Sequence, residues 1–484
     1  MMNMSPLLLA LAIPLLGAIG IALAHRLPNV RETITLATAG LLFLAVASLL
    51  PAVLAGERPA LSLFEIFPGV ALAFELEPLG MIFALIASSL WIVNSIYSIG
   101  YMRGNGEANQ TRFYVLFALA LFGAIGIAFA GNLLTLFLFY EILTFSTYPL
   151  VTHHGDEEAK RGGRVYLGVL VSTSIVFLLV AILITYFTVH TLDFKPGGII
   201  GNNLGDLARG LLLALFMFGI GKAAIMPVHK WLPAAMVAPT PVSALLHAVA
   251  VVKAGVFCVV KVIVYVFGID LLAMTSSAEW LPYVAGFTII AASVVALRAD
   301  NLKRRLAYST VSQLSYVVLA ASLLAPISVI GATLHIAAHA FGKITLFFAA
   351  GAIYTASHKT EVSQLAGIGR RMPWTMIAFA IGVLSMIGLP PTAGFISKWF
   401  MLAGAMQVEH WTAVTVIAIS TLLNAAYFVP IVYTAFMRAP ADDATHGEAP
   451  WPMVLAMVIS ASGTVALFFY AEVPLALARQ LVGS

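Results

Sequence analysis

The sequence predicts an all-α polytopic membrane protein of about fourteen transmembrane helices. The composition is too apolar for water, stretches long enough to cross a bilayer recur from end to end, and basic residues collect in every second loop. Of 484 residues, 61% are hydrophobic and 10% charged, and the mean hydropathy is +1.00. A soluble domain carries about 25% charged residues. A water-soluble surface cannot be built from this mixture, so most of the solvent must be lipid.

The apolar stretches fall at 4–24, 33–54, 79–100, 112–130, 132–152, 163–190, 208–228, 240–268, 282–298, 304–324, 326–356, 373–406, 411–437 and 451–473. Each suits a hydrocarbon core of about 30 Å. The loops after odd-numbered stretches hold fifteen basic residues: Arg26, Arg31, Arg103, Arg112, Lys160, Arg161, Arg164, Arg298, Lys303, Arg304, Arg305, Lys359, Arg370, Arg371 and Arg438. The loops after even-numbered stretches hold three, Arg58, Lys195 and Arg209. Positive residues gather on the cytoplasmic side, so both termini are expected outside, in a bacterial inner membrane. The first stretch lacks a basic leader and a small-residue cleavage site, and reads as a retained helix. The loop over 55–78 has amphipathic, β-like stretches and is expected on the outer surface.

A net charge of +4 without basic clusters excludes nucleic acid as a partner. The single cysteine, Cys258, excludes an intrachain disulfide or a Cys-ligated cluster and reads as a core residue. No flavin, haem or iron–sulfur motif is visible, so no cofactor is expected and any redox chemistry belongs to another subunit.

With the loop residues and Arg479 set aside, six basic residues remain, all lysines: Lys222, Lys230, Lys253, Lys261, Lys343 and Lys398. Glu141 is the one carboxylate well inside a stretch, and His229, His247, His335 and His339 also fall in helices. A charge at the bilayer centre costs at least about 2.5–3.5 kcal/mol. Arginine stays protonated almost everywhere, whereas a desolvated lysine can exchange its proton near neutral pH. Histidine already titrates there. A row of lysines and histidines is therefore suited to passing protons.

Other readings compete at some positions. Lys261, near its helix end, could snorkel to the interface. Lys230, beside Trp231 and Pro233, could be interfacial. A lone histidine is commonly a helix–helix hydrogen-bonding group. His335, His339 and Lys343 are harder to dismiss, because a spacing of four places all three on one helix face. The same histidine spacing can bind zinc, but no nearby carboxylate or thiol completes such a site, and no metal is expected.

Two stretches are interrupted by glycine and proline. One runs Gly219-Ile220-Gly221-Lys222-Ala223-Ala224-Ile225-Met226-Pro227-Val228-His229-Lys230-Trp231-Leu232-Pro233. The other runs Met386-Ile387-Gly388-Leu389-Pro390-Pro391-Thr392-Ala393-Gly394-Phe395-Ile396-Ser397-Lys398-Trp399. Proline breaks the helical ladder, which lipid tolerates only where protein or water satisfies the freed groups. Each break has a lysine beside it, and paired breaks point to a transporter built from inverted repeats.

These motifs, with Phe139-Tyr140-Glu141, Ala238-Pro239-Thr240-Pro241-Val242-Ser243-Ala244-Leu245-Leu246-His247-Ala248, Val252-Lys253-Ala254-Gly255-Val256, Asp300-Asn301-Leu302-Lys303-Arg304-Arg305-Leu306-Ala307-Tyr308-Ser309-Thr310-Val311-Ser312-Gln313 and His339-Ala340-Phe341-Gly342-Lys343, carry a resemblance over residues 75–438. The chain resembles the antiporter-like subunits shared by respiratory complex I, Mrp-type cation/proton antiporters and membrane-bound hydrogenases. The resemblance implies one transmembrane domain of N-terminal helices (1–111), two inverted five-helix repeats (112–268 and 282–438) and a C-terminal helix (451–484).

It also implies residue roles. Glu141 would pair with Lys222. His247 and Lys253 would be polar positions on the eighth helix. His335, His339 and Lys343 would connect two half-channels, and Lys398 would be the terminal group. That terminal group is glutamate in some members, and the lysine argues against their subtype. His229, Lys230 and Lys261 stand as lesser candidates for the same path.

The implied partners are protons, other membrane subunits and, for an antiporter, sodium. The chain would have no catalytic site of its own. Its length, the absence of a long lateral C-terminal helix and the phrase Phe341-Gly342-Lys343-Ile344-Thr345-Leu346-Phe347-Phe348 look most like a D-type Mrp subunit. A proton-pumping subunit of a complex I-like or hydrogenase-like assembly is the alternative. A standalone transporter and a non-conducting scaffold or quinone-binding subunit are alternatives of other kinds.

Overall fold

The structure, a computed structural model, describes residues 5–440 and 447–483; the side chain of His247 lies outside the described residues. Each of the fourteen apolar stretches is a helical segment, and they are labelled in chain order. The first six are α1 (Pro6–Leu23), α2 (Pro28–Leu54), α3 (Pro78–Gly104), α4 (Gln110–Ala128), α5 (Leu133–Val151) and α6 (Glu157–Val189). The seventh, α7, is a helix over Asp206–Gly219 followed by a break, and α8 covers 240–267 with two π-helical turns. Then come α9 (Trp280–Arg298), α10 (Leu302–Ser322), α11 (Pro326–Ser357), α12a (Pro373–Ile387), α12b (Ala393–Gln407), α13 (Trp411–Met437) and α14 (Trp451–Phe469).

Among the described residues, ten helices are long and apolar enough to cross a membrane. The other four segments fall short for visible reasons. The α7 and α12 segments are broken, α8 is interrupted by π-turns, and α10 starts on Lys303, Arg304 and Arg305 and is rich in hydroxyls.

Local sequence sets the helix starts. Glu77, Asn132, Asp156 and Asn301 stand just ahead of α3, α5, α6 and α10, and each side chain accepts a backbone N–H of the first turn. The β-like loop is a hairpin of β1 (Ala60–Phe67) and β2 (Val70–Glu75), the only strands among the described residues. It docks on the α4–α5 junction, where the Glu75 N–H donates to Phe129 O at 2.7 Å and the Gly131 N–H to Ala73 O at 2.9 Å. The C-terminal stretch ends at Phe469, earlier than its sequence boundary, and a separate short helix, α15 (Glu472–Leu481), follows.

Contacts between turns sort the loops onto two faces. Lys303 Nζ donates to Ala238 O at 2.6 Å and Ser363 Oγ to Asp300 Oδ2 at 2.7 Å, so turns after α7, α9 and α11 share one face. On the other face the Phe194 N–H donates to Gly131 O at 3.1 Å, the Ile199 N–H to Val266 O at 2.8 Å, and Gln480 Nε2 to Leu54 O at 2.8 Å. Basic residues therefore concentrate on one face, as the alternation of the loops requires.

Helix α11 is the central column. It runs 32 residues and packs against α10, α12a, α12b and α14. Helix α8 approaches the α7 break closely because residue 255 is glycine. A Cβ there would lie 2.3 Å from Lys222 C and from Ala223 N.

A candidate proton path through the helix core

The first part of the site lies at the α7 break. Helix α7 ends at Gly219, a single 3₁₀ turn covers Gly221–Ala223, and Ala224 takes a left-handed conformation with φ +55°. Gly221 O accepts the Ala224 N–H at 3.0 Å within the turn and Trp231 Nε1 at 2.9 Å, so the break is held by a bond from outside the turn as well. Lys222 is fully buried. Its Nζ donates to Tyr140 O at 2.9 Å and to Thr144 Oγ1 at 2.6 Å, 3.1 Å from the centroid of the Tyr140 ring.

Glu141 and Lys222 do not form an ion pair in this structure. Lys222 is held on the Tyr140 and Thr144 side of α5, while Glu141 sits on the outward stripe with the exposed Leu138 and Phe145. Neither Glu141 carboxylate oxygen has a hydrogen-bond partner, although both are enclosed. Consecutive residues on a helix point about 100° apart. The backbone carbonyl next to Glu141 thus holds the ammonium that the carboxylate was expected to hold.

The next part lies between α8 and α11. Lys253 is fully buried, and its Nζ lies 2.6 Å from His339 Nδ1. His335, one turn away on the same face of α11, is held at both ring nitrogens. Nδ1 is 2.8 Å from Ser397 Oγ on α12b, and Nε2 is 3.0 Å from Gln313 Oε1 on α10. Lys343, a further turn from His339, donates to Ser309 Oγ at 2.7 Å.

Uncharged polar residues join these groups. The Gln313 Nε2 donates to Met386 O at 3.2 Å and to Asn424 Oδ1 at 3.3 Å. The Tyr427 hydroxyl contacts both Asn424 Oδ1 and Ser309 Oγ. At the α12 break, Lys398 Nζ donates to Met386 O and Ile387 O, each at 2.9 Å. These are carbonyls that the break leaves without helical partners. Gly388, at φ +90°, lets the chain turn there, and a Cβ on it would lie 2.6 Å from Lys398 Cδ. Lys343, Ser309, Tyr427, Asn424, Gln313 and His335 thus form one hydrogen-bonded chain, which meets Lys398 at the Met386 carbonyl.

The structure therefore gathers Lys253, His335, His339, Lys343 and Lys398 around α11, with Lys222 at the neighbouring break. The lesser candidates separate. Lys230 is exposed, as an interfacial lysine would be. His229 is half-buried, its ring 6.2 Å from that of Tyr308. Lys261 does not snorkel. It is fully buried, its Nζ donating to Ala130 O at 2.9 Å and lying 3.3 Å from Glu77 Oε1. Tyr265 OH donates to Glu77 Oε2 at 3.1 Å. Sequence reading missed Glu77 because a glutamate just before a helix reads as an exposed cap. Its sole sequence signal is Pro78 at the first helical position.

Removing one partner of a buried ion pair costs about 3–5 kcal/mol. Lys261→Met is expected to lower the thermal midpoint of the purified assembly in detergent. Lys261→Met with Glu77→Gln, which removes both charges, is expected to recover part of that loss.

A core of packed helices, two of them broken beside a buried lysine, with a polar chain through the centre, defines a polytopic ion-translocation scaffold. Residues 130–424 match the family model described as NADH:quinone oxidoreductase/Mrp antiporter, TM, and the chain belongs to that family. Over 450 residues it is 30% identical to NADH-quinone oxidoreductase subunit N of Desulforudis audaxviator (strain MP104C), covering 92% of this chain and 89% of that one. Its fold is similar to a chain in the Mrp complex of Dietzia sp. DQ12-45-1b, with a TM-score of 0.89, 21% identity and coverage of 100% and 97%. It is also similar to a chain of the membrane-bound sulfane sulfur reductase, an archaeal respiratory membrane complex, with a TM-score of 0.88, 22% identity and coverage of 99% and 97%.

Proposed function

We propose that this chain is a proton-translocating subunit of an Mrp-type multisubunit cation/proton antiporter. Protons move along Lys222, Lys253, His339, His335, Lys343 and Lys398, and Glu141 controls Lys222. His247, on the π-turn of α8, is the further polar group on that helix. The observation that carries this reading is the hydrogen-bonded chain that leads from Lys343 through Gln313 and meets Lys398 at the Met386 carbonyl. Lys398, at the α12 break, meets this chain, while Lys222, at the α7 break, stands apart from it on Tyr140 and Thr144; in this reading each five-helix repeat contributes one break.

The Glu141–Lys222 pair works as a switch in this account. Two unit charges 4 Å apart interact by roughly 4 kcal/mol at an effective dielectric of 20. Moving one charge against 100 mV costs about 2.3 kcal/mol. Closing or opening the pair therefore acts on the energy scale of the membrane potential. The open arrangement, with Lys222 on Tyr140 and Thr144, is one of the two states. The arginine-rich face is the cytoplasmic one, and both termini lie outside.

A second reading has one specific observation in its favour. The Desulforudis relative is an NADH-quinone oxidoreductase subunit N, and it matches this chain over nearly its full length. The chain would then pump protons in a complex I-like assembly.

The experiment is purification of the native assembly, followed by transport in vesicles. Mrp-type small subunits in the preparation support the first reading, and peripheral redox subunits the second. Under either, Lys398→Ala and His339→Ala are expected to reduce proton movement on the order of tenfold, a barrier increase of about 1.4 kcal/mol. Unchanged flux in both variants would make the chain a non-conducting scaffold.

A further inference from the structure

A cavity of about 680 Å³ opens on the arginine-rich face and lies outside the lysine and histidine row. Its buried walls include Tyr101 on α3, Thr240 on α8 and Ala350 on α11, and the exposed Tyr354 lines it further out on α11. Ala350 is seven residues beyond Lys343. A separation of seven returns to the same helix face, roughly 10 Å along the axis. The cavity therefore ends on the face of α11 that carries Lys343, His339 and His335, with the buried Leu346 and Phe347 between it and Lys343.

Glu107, in the turn after α3, and His154, in the turn after α5, stand at its mouth. His154 Nε2 lies 3.4 Å from both Glu107 carboxylate oxygens. His153 Nε2 is 3.8 Å from Glu107 Oε2, and the His153 side chain is only 2% exposed. One carboxylate thus faces two imidazoles, one buried and one open to water.

Other charges surround them. His154 faces Glu107 from the α3–α4 turn, Asp156 on its own turn and Lys303 from α10. His153 faces Glu107, Arg112 from α4 and His154. Glu158, Arg304 and Lys359 also line the cavity. The hydrogen bond to Glu107 raises His154 above the ordinary imidazole pKa, while burial holds His153 below it.

We propose that Glu107, His153 and His154 form a proton-collecting site, which takes protons from water on the arginine-rich face and feeds them through the cavity toward Lys343. This rests on the proton path proposed above and adds its inlet. The arrangement suits the task. An exposed imidazole beside a carboxylate exchanges its proton with water, and it holds that proton to a higher pH than an isolated histidine would. Water in the cavity carries the proton inward.

The test is the pH dependence of proton transport by the intact assembly in vesicles. Glu107→Gln removes the charge that raises His154, so loading needs a more acidic medium. The half-maximal pH is expected to fall by about one unit, the usual environmental spread of histidine pKa values, with the maximal rate at acid pH retained. Lys343→Ala is expected to lose transport at every pH. A Glu107→Gln profile that superimposes on the unmodified one, with Lys343→Ala inactive, overturns this inlet and leaves the path standing. Full transport in Lys343→Ala overturns the path itself. Should Glu107→Gln fail to assemble, His154→Gln, in the half-exposed turn, is read by the same criterion. A fall in the half-maximal pH supports the site, and an unchanged profile overturns it.

Discussion

Gln313→Leu is expected to slow proton movement roughly tenfold or more while the assembly stays intact. Gln313 is the junction of the polar chain. Its carbonyl oxygen meets His335 Nε2 at 3.0 Å, and its amide donates to Met386 O and Asn424 Oδ1. Leucine fills a similar volume but makes none of these bonds. A typical hydrogen bond contributes about 1 kcal/mol net, and about 1.4 kcal/mol is a factor of ten in rate. Losing several at one junction reaches that factor. The leucine also leaves His335 and Asn424 short of one partner each. Size-exclusion chromatography checks assembly, and proton uptake into vesicles checks rate. Gln313→Glu, which keeps the acceptor oxygen beside His335, is expected to lose less.

Lys253→Met is expected to have a comparable effect for a different reason. Lys253 Nζ lies 2.6 Å from His339 Nδ1 and so ties α8 to α11. Both groups are buried. Methionine preserves the aliphatic stem and its packing but carries no proton. Stability should therefore hold, or improve slightly, because a buried charge disappears. Proton uptake should fall by roughly tenfold or more. A Lys253→Met, His339→Ala double variant should be no worse than either single variant, because both interrupt one step. The measurement is the set of four initial rates at one imposed pH gradient.

How far the site can be read from the sequence depends on the kind of residue. Charged groups in apolar stretches are costly, so Lys222, Lys253, Lys343, Lys398 and Glu141 stand out without any structure. The i, i+4 spacing of His335, His339 and Lys343 also survives into the fold, because one helix face is a local property. Gln313, Ser309, Asn424 and Tyr427 do not stand out. Hydroxyls and amides are common helix–helix glue in membranes, and apart from the Tyr427–Asn424 contact, three positions apart, their partners in the chain lie 22 to 118 positions away. Lys261 shows the same limit. Its partner Glu77 is 184 positions distant, and nothing local marks the pair.

The orientation of Glu141 was hidden for another reason. Depth in a span is readable from sequence, but the direction a residue faces is not, when apolar and polar residues are spread around α5 as they are here. Its hydrophobic pattern gives no preferred face, so the pairing with Lys222 looked direct. The breaks were legible because glycine and proline punctuate a helix wherever they fall. The π-turns of α6 and α8 were not, since no residue type demands them. The hairpin was legible through its alternation, a signal as local as the helical one.

In the proposed mechanism a switchable Glu141–Lys222 pair drives protons along the α11 axis. The most direct measurement is ion-linked proton movement by the intact assembly carrying Glu141→Ala or Lys222→Ala. Each substitution alone is expected to reduce it at least about tenfold with subunit composition unchanged. Proton movement at the unmodified rate in both variants would contradict the mechanism, and the pair would then be structural.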